Sequence, residues 1–210
     1  MRRQKVSLRA PRANEPLGDF PRFLLLPSLT LFRLTRDGHE PWWFSSSLEG
    51  RFDLQAPEGT CYFASDDLGA ILEVLGPDLL PGGCAPASLL RGRHLRELFV
   101  PRRCRLADCL VDRASRWVTA ELSTITPYAL PQAWARALRS AGFDGLRYSP
   151  RHSTSRRRWS CAIFGRSGER RGWRRSRPIA LSAEHRDRLR RRCGIVLFDV
   201  PSDDALLFAP

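Results

Sequence analysis

The sequence predicts a mixed α+β domain. Short apolar runs of strand length alternate with well-punctuated helical segments, yet too few strand–helix units repeat for a regular parallel array. At 210 residues and 42% hydrophobic content, with 11 Phe and 6 Trp, the chain can fill a core and is not disordered throughout.

Residues 1–28 carry Pro11, Pro16, Pro21 and Pro27 among scattered charges, which suits an extended arm. Residues 29–34, Leu-Thr-Leu-Phe-Arg-Leu, read as a first strand stopped by Asp37-Gly38. After Trp42-Trp43-Phe44 and a serine run comes Gly50-Arg51-Phe52-Asp53. A second strand over 60–64 follows the turn Pro57-Glu58-Gly59 and feeds a helix, with Ser65 as N-cap, Asp66 and Asp67 in the first turn, and Gly76-Pro77 as the stop. Leu68, Ile71, Leu72 and Leu75 form its buried stripe. Glu73 stands about 140° round the helix from Leu68, off that stripe, facing solvent or a cleft.

Residues 77–86 form a Pro/Gly loop, 95–99 carry helical hints and 109–111 look strand-like. A helix over 131–140 has Pro131 at its start and Gly142 after its end. Two strands, 143–148 and 160–164, flank the polar loop 149–159, and the tail adds a basic helix over 182–192 and an apolar run over 194–200.

The net charge is +13, with Lys5 the only lysine. Residues 151–192 hold 15 Arg against Glu169, Glu184 and Asp187, a net +12, while the rest of the chain is +1. The whole-chain charge therefore describes one segment rather than the body. No apolar run is long enough to span a membrane, and residues 23–32 come too late, and are broken by Pro27, to read as a signal peptide. Cysteines 61, 84, 104, 109, 161 and 193 lack the close pairing of a zinc site and read as reduced thiols of a cytoplasmic protein, with no metal.

Five residues stand out chemically. Arg33 ends an apolar strand, where a guanidinium either meets a partner or reaches solvent. Arg51 follows Gly50 in a turn, placed to bind phosphate bidentately or to form a surface ion pair. Tyr62 sits mid-strand, a core position whose hydroxyl needs a partner. Glu73 is either a solvated helix residue or a cleft carboxylate, and Ser149 follows a strand as one of several loop serines. The chain holds no Walker loop, dinucleotide glycine fingerprint, G-x-S-x-G or metal-binding helix motif.

Taken in order, Leu31-Phe32-Arg33, Gly50-Arg51-Phe52-Asp53, Gly59-Thr60-Cys61-Tyr62-Phe63-Ala64, Ala70-x-x-Glu73, the run from Phe143 to His152 and Ala162-Ile163-Phe164-Gly165 resemble the RES family. These are the toxin subunits of bacterial RES–Xre toxin–antitoxin pairs, named for an Arg, a Glu and a Ser. The resemblance covers about residues 29–166, making that the catalytic domain between the 1–28 arm and an Arg-rich 167–210 extension. It implies an ADP-ribosyltransferase-like fold and degradation of NAD by hydrolysis or, with inorganic phosphate as co-substrate, by phosphorolysis; some relatives transfer ADP-ribose to protein. It further implies an Xre-family antitoxin and a homodimer.

By the same resemblance, Arg33 and Arg51 match the family arginines, Tyr62 the strand tyrosine and Glu73 the family glutamate. The serine register holds Pro150, so either Ser149 serves through a local shift or that role is lost. Cleaving the nicotinamide–ribose bond expels a neutral leaving group from a cationic ring, so the demand is to stabilise an oxocarbenium-like sugar. Glu73 would do that, the two arginines would clamp the pyrophosphate, and Tyr62 would stack on nicotinamide or bond a ribose oxygen. The rival class is a nucleic-acid-binding module, in which Arg and Trp of the 151–192 segment grip phosphates and stack bases.

Overall fold

A computed structural model describes residues 7–199. The chain runs through strands β1 (Arg22–Leu25), β2 (Leu31–Arg36), β3 (Trp43–Phe44) and β4 (Glu58–Ala64), then helix α1 (Asp67–Leu75). There follow β5 (Cys84–Pro86), β6 (Arg93–Leu98), β7 (Cys104–Asp108), helix α2 (Ala129–Ser140), β8 (Gly145–Tyr148) and β9 (Ser160–Arg166). Short β10 (Gly168–Glu169), β11 (Ile179–Ala180), helix α3 (Ala183–Cys193) and β12 (Val196–Phe198) complete it.

Eight strands form one mixed sheet in the order β1-β7-β8-β9-β4-β2-β6-β11. Only the β7–β8 pair within it is parallel. The α+β reading of the sequence therefore matches the architecture. No helix among the described residues is long and apolar enough to cross a membrane.

Three apolar clusters pack the sheet. One gathers Phe52, Trp134, Leu138, Phe143 and Leu146 beneath α2; a second holds Trp42, Phe44, Cys61 and Phe63; the third seats Leu68, Ile71, Leu72 and Leu75 of α1 with Leu189 of α3. The α1 stripe is thus the one its spacing predicts. Its N-cap is Asp66 rather than Ser65, because the Asp66 carboxylate reaches the Gly69 amide.

Several local expectations are corrected. Residues 95–98 belong to strand β6 and Phe99 follows its end; β6 pairs with β2 along six residues, since Leu95 and Leu98 are both sheet-buried and tertiary pairing outweighs a weak helical pattern. The strand expected at 109–111 lies earlier, ending at Asp108. The loop 77–86 closes on β5, which β12 joins in parallel.

The described part of the arm 1–28 is extended and packs onto the body. Leu8, Leu17 and Phe20 are buried in the α2 cluster, and β1 adds an antiparallel edge to β7. The 167–199 part of the basic extension is likewise woven in, β11 pairing with β6 and Leu189 lying fully buried. The end of the expected apolar run, Val200, lies outside the described residues.

Phe20 stands 5.1 Å from the Trp117 ring and 6.0 Å from Phe143, so the arm contributes core, not decoration. Phe20→Ala should lower unfolding free energy by about 3–5 kcal/mol in a urea titration, as a large buried aromatic does; a change under about 1 kcal/mol would mean the arm does not pack as described.

Candidate active site

The site is built on β4. Strand alternation sends Cys61 and Phe63 into one cluster and Tyr62 to the opposite face. The Tyr62 hydroxyl donates to Asp53 Oδ1 at 2.7 Å and accepts from the Phe52 amide at 2.9 Å. Asp53 is fully buried, and its second oxygen accepts the Gly50 amide at 3.0 Å and the Ser45 and Ser47 hydroxyls at 3.2 Å each. A Cβ on Gly50 would sit 2.4 Å from that carboxylate and 2.6 Å from the Tyr62 hydroxyl, so only glycine fits there. Burial first, then the Asp53 charge, holds the Tyr62 hydroxyl well above its ordinary pKa.

That lock aims Arg51 into a cleft. Its guanidinium donates to the Ile125 carbonyl at 2.6 Å and lies 4.6 Å from the centre of the Tyr128 ring, with no carboxylate within ion-pair distance among the described residues. Only 9% of Arg51 is exposed, and desolvation lowers its pKa. A buried, neutral-partnered guanidinium is an anion site in search of an anion.

Glu73 projects from α1 into the same cleft. Glu73 is exposed at the cleft, but the surrounding walls desolvate it enough to raise its pKa, against the pull of Arg51 and Arg151. The helix is pinned at its N-terminal end: Asp66 receives Arg158 at 2.8 Å, and Asp67 receives Arg188 through both guanidinium nitrogens. Part of the basic segment therefore fastens the helix that carries Glu73.

The cleft has two chambers. The outer one, about 560 Å³, is lined by Arg51, Tyr128, Arg151 and His152; the inner, about 180 Å³, by Phe32, Arg33, Phe63, Val74 and Ser160. Tyr62, Glu73 and Tyr148 line both and so stand at the junction. The outer volume alone lies in the range of roughly 300–1,000 Å³ usual for small-molecule sites. The ring of His152 covers Gly76, where a Cβ would come within 2.0 Å of it, so a side chain at 76 would have to displace His152 from the cleft wall.

Of the residues picked from sequence, Arg51, Tyr62 and Glu73 share the outer chamber, and Arg33 joins Tyr62 and Glu73 at the inner one. Arg33 neither reaches freely into solvent nor meets a carboxylate. Its Nη1 contacts the Pro41 carbonyl at 2.7 Å, the Trp43 carbonyl at 3.4 Å and the Cys61 sulfur at 2.7 Å. Arg33 and Arg51 consequently serve different chambers rather than one clamp. The Tyr62 hydroxyl is committed to Asp53 and Phe52, which leaves its ring to face a ligand.

Ser149 is not brought to Glu73. It lies exposed between buried Tyr148 and buried Pro150, and lines a separate 330 Å³ cavity that meets the outer chamber only at Ser123. Strand alternation explains this: with Tyr148 inward, its successor points away. Missed residues are Tyr128, Tyr148, Arg151, His152 and Ser160. Tyr148, Arg151 and His152 sit inside the motif run 143–152, but only the three-dimensional turn at Pro150 shows which of its side chains enter the cleft. No group of three or more His, Cys, Asp or Glu able to hold a metal occurs among the described residues.

A family model for the RES domain matches residues 30–184. The chain belongs to the RES domain family. The match extends past the 29–166 span of the motifs into α3. In structure, this RES chain is similar to a chain of the crystal structure of the M. tuberculosis MbcT–MbcA toxin–antitoxin complex, with a TM-score of 0.61 and 13% identity over 78% of this chain and 90% of that one. At that identity the likeness is one of fold. A search of curated proteins found no match.

The raised Glu73 pKa has a thermodynamic consequence. The folded state binds this proton more tightly than the unfolded chain does, so stability falls as pH rises through the window between the two pKa values, and the cost is fully present above both. Glu73→Gln should therefore raise Tm at pH 7, with the gain shrinking as pH is lowered toward 4. A Tm loss at pH 7 would show that the carboxylate is a stabilising surface group instead.

Proposed function

We propose that this RES chain is an NAD-cleaving toxin of a toxin–antitoxin pair, acting at the nicotinamide–ribose bond on an ADP-ribosyltransferase-like fold. One observation carries the reading: Glu73 stands where an arginine-lined outer chamber meets a small, mostly apolar inner one. NAD is divided the same way, a dianionic diphosphate on one side of the scissile bond and a flat aromatic amide on the other. The fold likeness to a toxin–antitoxin complex supports the toxin role, and the RES motifs are what suggest an Xre-type antitoxin as partner.

In this reading Arg51 and Arg151 hold the diphosphate, and Tyr128 keeps Arg51 in place by its ring face. The C1′–N bond breaks with its electron pair going to the pyridine nitrogen, so nicotinamide leaves neutral. The cationic sugar left behind is stabilised by the Glu73 carboxylate. The new C–O bond at C1′ is then formed either by water, which loses a proton to Glu73 or to solvent, or by an unprotonated oxygen of inorganic phosphate, which needs to lose none. Arg33 borders the inner chamber, and its guanidinium, held by the Pro41 and Trp43 carbonyls and the Cys61 sulfur, steadies the β2–β4 wall there rather than taking a phosphate. The Tyr62 and Tyr148 rings bound the junction and exclude water from the developing charge.

The test is release of nicotinamide from NAD by the purified protein, with and without inorganic phosphate. Glu73→Gln should reduce turnover at least about 100-fold, the scale of losing one electrostatic stabiliser. Arg51→Lys should not restore function, because a buried fork is not replaced by a point charge. Absence of nicotinamide release under both conditions, for wild type that is folded, sinks the reading. Dependence on phosphate would separate phosphorolysis from hydrolysis.

The acid limb of the pH–rate profile should lie above the ordinary glutamate pKa of about 4.3, because ionised Glu73 carries the chemistry and its pKa is raised. Arg151→Ala removes one charge that opposes the rise, so it should move that limb to higher pH. A limb that stays put would mean Arg151 does not act on Glu73.

A further inference from the structure

We propose that Ser160 sets leaving-group specificity: its hydroxyl recognises the carboxamide of the departing nicotinamide on the wall of the inner chamber. This rests on the NAD-cleaving reading and names the part of the substrate that the inner chamber takes.

Ser160 opens β9, is 1% exposed, and its Oγ has no hydrogen-bond partner among the described residues. Its cross-strand neighbour is Tyr148. The serine hydroxyl lies close enough to oppose the rise of the Tyr148 pKa, yet no hydrogen bond of sound distance and angle joins the two. A hydroxyl sealed away without a partner destabilises a fold, so Ser160 is costly unless something entering the chamber satisfies it.

The chamber selects that something. Phe32, Leu34, Ala64, Ala70 and Val74 make its walls apolar, which disfavours a diphosphate or a sugar with many oxygens to satisfy. A flat neutral ring carrying one amide suits them. The amide N–H₂ can donate to the serine oxygen, and its carbonyl can accept the serine proton. Tyr148, whose hydroxyl stays protonated because burial and Glu73 raise its pKa, offers a second donor at the same wall. Glu73 at the junction then meets the ribose C1′ once the ring is seated inside.

The experiment compares kcat/KM for NAD and for an NAD analogue whose pyridinium lacks the 3-carboxamide, in wild type, Ser160→Ala and Ser160→Cys. Intrinsic leaving-group reactivity cancels when the NAD-to-analogue ratio is compared between proteins. Ser160→Ala should lower kcat/KM for NAD roughly tenfold and leave the analogue within about twofold, collapsing the ratio. Thermal unfolding adds a readout that a structural serine would fail: removing an unsatisfied buried hydroxyl should hold Tm or raise it by about 2 °C. Ser160→Cys keeps the volume and repeats the ratio test should the alanine variant not fold. Equal losses on both substrates, or no loss, overturns the role of Ser160 while leaving NAD cleavage standing. Wild type that cleaves neither substrate overturns both.

Discussion

The buried carboxylate of Asp53 is the constraint on which the rest depends. A carboxylate removed from water is tolerable only when donors surround it, and four do: the Tyr62 and two serine hydroxyls and the Gly50 amide. Satisfying it folds the 45–53 loop onto β4 and leaves Gly50 no room for a side chain. Arg51 and Phe52 are fixed in consequence, the first turned into the cleft and the second edge-on to Tyr148 at 4.7 Å. A single salt-free polar cluster thus sets both chambers' shared wall.

The cleft itself is held against the grain of stability. Glu73 is desolvated, Arg51 is buried with only a carbonyl and an aromatic face, and the Ser160 hydroxyl is unsatisfied. Such groups persist where the surrounding structure over-determines them, as functional sites do. Here the over-determination comes from three apolar clusters and from the double arginine anchor on α1. Part of the excess charge of the C-terminal third is taken up by acids elsewhere in the chain: Arg158 meets Asp66, Arg175 meets Glu40 and Arg188 meets Asp67, while Arg170 and Arg174 stack on Phe44 and Phe99. A segment that looked like a free polycation is structural at these five arginines.

Much of this was legible in the residues. Helical spacing placed the α1 stripe and put Glu73 off it, and the residue types marked a turn at Gly50 before Arg51; that Asp53 and Tyr62 close on this glycine shows only in the structure. The arm is extended as its prolines suggest, but the core residues it carries, Leu8, Leu17 and Phe20, are widely spaced and show no periodicity that would mark them. Residues 95–99 were misread because a six-residue strand is decided by its partner β2, sixty positions earlier. Ser149 and Ser160 show the limit most clearly. Both are serines beside strands, and only the inward side of Tyr148 and its pairing across to β9 decide that the later one lines the chamber with Glu73.

The central claim is spatial: the bond to be cleaved crosses the junction at Glu73, with the ring inside and the diphosphate outside. A crystal structure of the Glu73→Gln protein with intact NAD tests it most directly. The account predicts nicotinamide in the inner chamber against Ser160, C1′ beside residue 73, and the diphosphate on Arg51 and Arg151. Nicotinamide in the outer chamber, or a diphosphate bound away from both arginines, would contradict it.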